Sequence, residues 1–227
     1  MRVITQDVRE AILARRTIRA YRPDPVPKDV LTELLDLARY TPSWGNTQPW
    51  EFAVAGGEVW AQLKEAMLQR FQAGTAPYPD IPLPVFPEGI RARSGDNGRR
   101  MLEAMGISRE DREPRRRWSD YGATFFGAPN GIFLHMDRSL GPWSVLDIGM
   151  TMQTIMIAAV TYGLGTSPLF VMVRYPDVLR EMLSIPESQQ IVCGIAIGYP
   201  DTEAPQNNFE RPRLPLESVA TWHGFED

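Results

Sequence analysis

PSWGNTQPW, residues 42–50, sits between a helical pattern over Pro27–Tyr40 and a strand pattern over Glu51–Ala55. Proline pushes the residue before it out of the helical region, so the helix must stop short of Pro42. Gly45 permits an unusual backbone angle, and Asn46 and Gln48 present two side-chain amides two residues apart. The stretch reads as a rigid loop carrying exposed donors, acceptors and two indoles, suited to a flat ring with polar edges. The same residues also suit a plain helix-to-strand connector whose tryptophan plugs the core. Loops carry function disproportionately, yet most only connect. The rest of the chain has to separate the two.

Composition narrows the classes. A chain of 227 residues with 43% hydrophobic content has enough apolar material for a sizeable core,. A net charge of −4 argues against a nucleic-acid binder, which needs a basic face,. The single Cys193 excludes an internal disulfide framework and fits a reducing compartment,. The opening MRVITQDVRE lacks an apolar signal core,. The longest apolar run, Ile148–Val160, is shorter than the ~20 residues of a membrane span. These point to a cytoplasmic protein that neither enters a membrane nor binds nucleic acid. His135 and His223 stand far apart without a cysteine pair, so no metal site is expected,.

Outward from the loop, Asp7–Ala14 has helical apolar spacing and runs into Arg15-Arg16-Thr17-Ile18-Arg19,. In an extended segment alternate residues share a face, so Arg15, Thr17 and Arg19 point one way. Guanidinium forks beside a hydroxyl make a clamp for a phosphate dianion; a solvated basic helix terminus is the plainer alternative. Helices are expected over Pro27–Tyr40 and Glu58–Gln72. Ala76–Gly89 holds five of the chain's 20 prolines, which excludes a helix or central strand and predicts a stiff surface excursion. Its Ile81, Leu83, Val85 and Phe86 argue that it docks. Asn97–Asp120 reads as a charged, solvated helical stretch. Gly131–Met136 reads as a strand. Pro142–Gly163 is the longest helix, apolar nearly all round from Ile148 to Val160 and so expected to be buried, with a subunit interface as a natural place for it. Thr166–Phe170 reads as a turn into an extended segment, Tyr175–Leu183 as a short helix, and Ile191–Gly198 as a buried strand with Cys193 structural. No glycine-rich phosphate loop is present. In the tail, Arg211-Pro212-Arg213 holds two cations on one extended face, and Leu214, Leu216, Val219, Trp222 and Phe225 make it too apolar to hang free.

In order along nearly the whole chain, the RRTIR element, the PSxxNxQPW loop, the long central helix, GLGTSP, GIAIGYP and the terminal RPRLPLE resemble the nitroreductase family of FMN-dependent oxidoreductases. The resemblance implies an α+β fold: a central, mostly antiparallel sheet surrounded by helices, with the C-terminal segment exchanged across a homodimer that binds FMN at its interface. It implies one such domain over 1–227, with 76–118 a lid or insertion over the site. By the same resemblance Arg15, Arg16, Thr17 and Arg19 bind the cofactor, with Arg211 and Arg213 on its phosphate. Pro42, Ser43, Trp44 and Asn46 come to the ring from the partner subunit, and Pro168, Leu169 and Phe170 offer it backbone N–H groups. Trp44-Gly45 departs from the small polar residues common in the family, and Trp44, Tyr78 and Phe86 are the expected substrate contacts. The polar contact at the ring edge stays open between Tyr121 and Thr124.

The activity implied is a ping-pong cycle. NAD(P)H reduces FMN, and a small aromatic acceptor, a nitroarene or quinone, then takes two electrons from it. No side chain is expected to act as nucleophile or base, because the cofactor carries the chemistry. Enone reduction and reductive dehalogenation are alternatives on the same scaffold. A flavin-binding regulator without turnover and a cofactor-free structural dimer are the alternatives outside it.

Overall fold

Proline and glycine set most boundaries in the computed structural model, which describes residues 7–225. The reading of the opening segment as lacking an export signal rests partly on residues 1–6, which lie outside the described residues. Asp7 caps helix α1 (Val8–Ala14), its carboxylate accepting from the Glu10 N–H at 2.9 Å,. Helix α2 (Lys28–Ala38) follows Pro27 and buries Val30, Leu31, Leu34 and Ala38, the stripe its spacing predicts,. The loop after Pro42 tightens into a 3-10 turn over Trp44–Asn46 and leads into strand β1 (Glu51–Gly56). Then come α3 (Gly57–Gln72), α4 (Glu88–Ala104), α5 (Arg112–Ala123), β2 (Asn130–Asp137), α6 (Pro142–Thr161), β3 (Gly165–Pro168), α7 (Pro176–Leu183) and β4 (Gln189–Gly198).

The four strands form one sheet in the order β1-β2-β4-β3, with every neighbouring pair antiparallel. Alternation along β2 and β4, shifted by one residue where the β2–β4 register skips Val192, divides the core in two,. Ile132, Leu134, Ile195 and Ile197 face α2 and α6, where they meet Leu34, Trp50, Ile148 and Ile155. Phe133, Ile191 and Ala196 face the other way, toward Trp60 and Leu63 of α3, Leu179 of α7, and Met172 and Tyr175 beside them. Each fully buried Leu, Ile or Phe contributes about 1.5–3 kcal/mol. Trp60 is 1% exposed, and its indole N–H donates to the Ala128 carbonyl at 2.6 Å, so its polar atom is not stranded,.

Four expectations change. The excursion predicted over Ala76–Gly89 ends earlier, because α4 starts at Glu88 behind Pro87,. The single charged stretch Asn97–Asp120 is two helices, broken where Gly106 takes φ 69°,. Phe170 is not extended; it opens a 3-10 turn over Phe170–Val173. Helix α6 is buried on one side only: Trp143 and Leu146 are exposed, while Ile148, Thr151, Ile155 and Ala159 are sealed. At 20 residues α6 is also long and apolar enough by composition to cross a membrane, which the shorter apolar run did not suggest. Here it packs against α2 and the sheet. The C-terminal residues through Phe225 form no strand among the described residues, and Leu214, Leu216, Val219, Trp222 and Phe225 are exposed.

Candidate functional site

Helix α1 ends because Arg15 turns extended (φ −60°, ψ 119°). The chain then runs alongside β3, where Thr17 pairs with Thr166 in parallel and the Ile18 N–H donates to the Thr166 carbonyl at 3.0 Å. That approach requires Gly165, since a Cβ there would lie 2.5 Å from Ile18 Cγ1. Ile18 and Ala20 are buried, so Arg15, Thr17 and Arg19 take the opposite, part-open face, as alternation requires,.

The other end of the chain returns to this face through Asn207, which is buried. Its amide oxygen accepts from the Arg19 N–H (2.7 Å), and its amide nitrogen donates to the Ala20 and Asp201 carbonyls (2.9 and 2.8 Å). The Arg211 guanidinium donates to the carbonyls of Thr17, Asn207 and Phe209 (3.3, 3.3 and 3.2 Å) and lies 4.0 Å from the Phe209 ring centre. Arg16 reaches the Asn207 carbonyl at 3.5 Å, and Arg213 the Arg211 carbonyl at 2.8 Å. Arg15, Arg16, Arg211 and Arg213 line one cleft of about 580 Å³ with Ile12, Leu13, Gln153, Phe209 and Glu210, the last engaged by Arg100 (3.1 Å), a size usual for small-molecule sites.

This cleft is electrostatically unfinished. Among the described residues, none of Arg15, Arg16, Arg19, Arg211 and Arg213 pairs with a carboxylate. Burial, and then the charges of Arg16, Arg19, Arg213 and Arg15, press the Arg211 guanidinium down to about 10. Arg15 is lowered by burial and by Arg213, and Arg19 mainly by burial. The Arg211 Nε is buried without a partner. Crowded cations without counter-charge favour an anion that supplies acceptor oxygens.

The remaining expected residues fall elsewhere in the single chain. Pro42, Trp44 and Asn46 are exposed beside α6, in a loop that starts where Thr41 bonds Thr154 (2.9 Å) and runs toward the helix's first turns. There Trp44 packs edge-on against Trp143 (5.3 Å) and its N–H reaches Asp147 Oδ2 (3.4 Å). From Asp147 or Trp143 to Gln153 is about 9–15 Å along the helix axis. Ser43 Oγ braces the loop by accepting from the Gln48 N–H (2.9 Å), and Asn46 and Gln48 hold positive φ. Trp50 is buried in the core, so the plug and the exposed recognition loop coexist. Pro168, Leu169 and Phe170 continue from Thr166, but Pro168 has no N–H and that of Leu169 donates to the Gly194 carbonyl (2.9 Å). The expected backbone donors therefore narrow to Phe170. Tyr78 is not brought to the cleft: its hydroxyl bonds Asp177 beside Arg70, on the α7 side of the sheet. Phe86 is 44% exposed and touches no other ring among the described residues. Thr124 Oγ1 is bonded to the Tyr121 carbonyl (3.0 Å).

Sequence reasoning missed two features. Asn207 was passed over as part of the tail, although a polar residue just before an RPR element is its only signal. Phe125 and Phe126 both adopt left-handed backbone angles (φ 59° and 56°), costing about 1–3 kcal/mol each. The strain puts Phe126 against Trp118 (5.0 Å) and under the Arg19 guanidinium (5.9 Å). Cys193 is no nucleophile, since burial pushes its thiol up to about 12,.

Residues 12–199 match the model of the nitroreductase family. Over 230 residues, covering the whole of both chains, the protein is 34% identical to 4-nitrobenzoate reductase of Pseudomonas putida. The crystal structure of the FMN and NADPH-dependent nitroreductase NfnB from Sphigopyxis sp. strain HMH superposes with a TM-score of 0.92 at 32% identity, over 96% of this chain and 100% of that one. The FMN-dependent nitroreductase NfnB from Mycobacterium smegmatis, crystallised in complex with NADPH, superposes at 0.89 with 29% identity and the same coverage.

Proposed function

Because the chain belongs to the nitroreductase family, we propose that it is an FMN-dependent oxidoreductase that uses NAD(P)H to reduce nitroaromatic or quinone-type acceptors by two electrons in a ping-pong cycle. The observation that carries this reading is the gathering of four arginines, Arg15, Arg16, Arg211 and Arg213, around one cleft, none paired with a carboxylate among the described residues, with Arg19 near enough to press on Arg211. A phosphate monoester fits that donor set: it supplies the missing charge and acceptor oxygens, and the guanidinium forks offset its desolvation.

In this reading Arg15, Arg16, Arg211 and Arg213 hold the phosphate, with Thr17 beside them. Arg19 and the Pro168–Phe170 run flank the ring, and Arg19 supplies positive field where charge gathers on reduction. FMN, when bound, supplies the hydride-accepting and hydride-donating chemistry; the protein supplies position, field and exclusion of water. No side chain has to move a proton at a defined atom.

None of the loop residues Pro42–Asn46 lines this cleft in its own chain. We assign it to the flavin of a second copy, with Trp44 against ring or acceptor. Three exposed features support a homodimer: the open face of α6, the apolar tail from Leu214 to Phe225, and the unpaired outer edge of β1, where Val54 is 41% exposed. Residues 76–118, with Phe86 at an open position, form the lid.

The visible spectrum of freshly purified protein tests the reading first. A flavin band and NADPH oxidation that depends on added 4-nitrobenzoate are expected. A colourless protein that takes up no added FMN overturns it.

A further inference from the structure

Three consecutive residues between α5 and β2, Phe125, Phe126 and Gly127, hold left-handed backbone angles (φ 59°, 56° and 71°). Glycine does so freely, but two phenylalanines in a row there are strained and persist only where their surroundings enforce it. Phe125 is sealed against Trp60, with ring centres 5.0 Å apart. Gly127 leaves room for the Tyr121 hydroxyl, which lies 3.2 Å from where a Cβ would stand. What the strain achieves is the direction of Phe126. Its ring, 7% exposed, is backed from α5 by Trp118 (5.0 Å, tilted 33°) and Tyr121 (5.6 Å, edge-on at 77°). The same ring carries the Arg19 guanidinium 5.9 Å from its centre. The Arg19 backbone is fixed by Asn207 (2.7 Å). Its guanidinium, lowered mainly by burial, has no carboxylate partner among the described residues.

We propose that Phe126 is a positioning residue: its face holds the Arg19 guanidinium at the flavin ring, where negative charge gathers on reduction, and the strained turn supplies that face. The inference rests on the placing of Arg19 at the ring in the oxidoreductase reading above. The choice of an aromatic support has a physical reason. A ring quadrupole attracts a cation without neutralising it. A carboxylate in the same place would hold Arg19 as firmly but cancel its field. A cation set in advance also needs no rearrangement when charge develops. The turn thus raises the reduction potential of the flavin while leaving the charge of Arg19 whole.

Phe126→Leu keeps an apolar side chain and bears the same backbone strain, but offers no π face. Titration of the flavin-loaded protein against a redox dye should find the variant about tenfold harder to reduce, about 30 mV lower for a two-electron couple. Phe126→Tyr, which retains the face, should match wild type. In an Arg19→Ala background, Phe126→Leu should move the potential no further, as expected of a residue that acts through another. A wild-type potential in Phe126→Leu, or the same shift with and without Arg19, overturns the proposal. Should the leucine variant fail to fold, flavin-free wild type answers alone in nuclear magnetic resonance. The Arg19 Nε–H signal, identified by its loss in Arg19→Lys, should lie upfield of the ordinary arginine position because of the Phe126 ring current; an unshifted signal overturns the proposal. A wild-type protein that takes up no flavin overturns the functional reading instead, and leaves the Arg19 signal readable.

Discussion

Arg211 is the residue on which the proposed phosphate clamp turns. It touches carbonyls from both chain ends, and its guanidinium is pressed down by burial and then by its cationic neighbours. Replacing Arg211 by Ala removes a charge-assisted contact of about 1.5–3 kcal/mol. FMN affinity should then fall about ten- to a hundredfold, measured by quenching of flavin fluorescence. The same strain predicts a pH effect in flavin-free protein. A guanidinium held below its ordinary value destabilises the fold while protonated; that penalty is present below about 10 and is relieved as pH rises through it,. Neutralising the cluster by ligand should do the same at neutral pH. Inorganic phosphate should raise the Tm of flavin-free wild type and leave that of an Arg211→Ala, Arg213→Ala double variant unchanged in differential scanning calorimetry. The density of cations was legible in the sequence, but alternation did not foretell that Arg15 and its neighbour Arg16 line the cleft while Thr17 and Arg19 do not. Asn207 was not legible, because its role depends on a contact 188 residues away.

Among the elements, the proline-rich connection before α4 is held more firmly than its composition suggests. Asp80, though outside any helix or strand, accepts from Arg180 (2.6 Å), Arg138 (3.0 Å) and the Ile191 N–H (2.8 Å). Burial alone would raise its carboxyl; the bonds from Ile191, Arg180 and Arg138 outweigh that and leave it lowered. A depressed carboxyl stabilises the fold above the unfolded-state value and loses that contribution as pH falls through the lower folded value. Asp80→Asn should therefore cost about 1–3 kcal/mol at neutral pH. The gap to wild type should begin to narrow only below about pH 4, the ordinary carboxyl value, and close once pH falls through the lower folded value,; urea unfolding across that range measures it. The anchor also divides the proposed lid: residues 81–87, with Val85 96% exposed, lie beyond it, while Tyr78 bonds Asp177 on the near side. Limited proteolysis should cut between 81 and 87 before any other interior site. Proline density made this connection visible in advance. The start of α4 was hidden because three glycines and Ser94 lower its helical propensity,. Tyr78 was misplaced because aromatic character says nothing about which layer a side chain joins.

At the scale of the whole molecule, the apolar surface of α6 was read as burial and turns out to be half burial and half open face. Trp143 and Leu146 are 63% and 55% exposed beside Trp44. A face of this kind on a core helix calls for a partner. Leu146→Glu should shift the protein from dimer to monomer in light scattering and release flavin along with it, while circular dichroism keeps the helical signal. A variant that stays dimeric and yellow would sink the two-copy site. The order of helices and strands was legible outside 88–123, where two helices read as one charged stretch, since the others are punctuated by proline or glycine and show their own period. The division of surface between core and partner was not, because periodicity registers apolar positions without saying what covers them.

The bond from Arg211 to the Thr17 carbonyl joins positions 194 residues apart. At about 5–20 residues per second, a ribosome delivers the two about ten to forty seconds apart. In the proposed holoprotein a chain cut after β4 and before Arg211 should carry all four strands yet hold FMN less tightly, because only the first half of the clamp has been made. Flavin content then reports whether both halves are present.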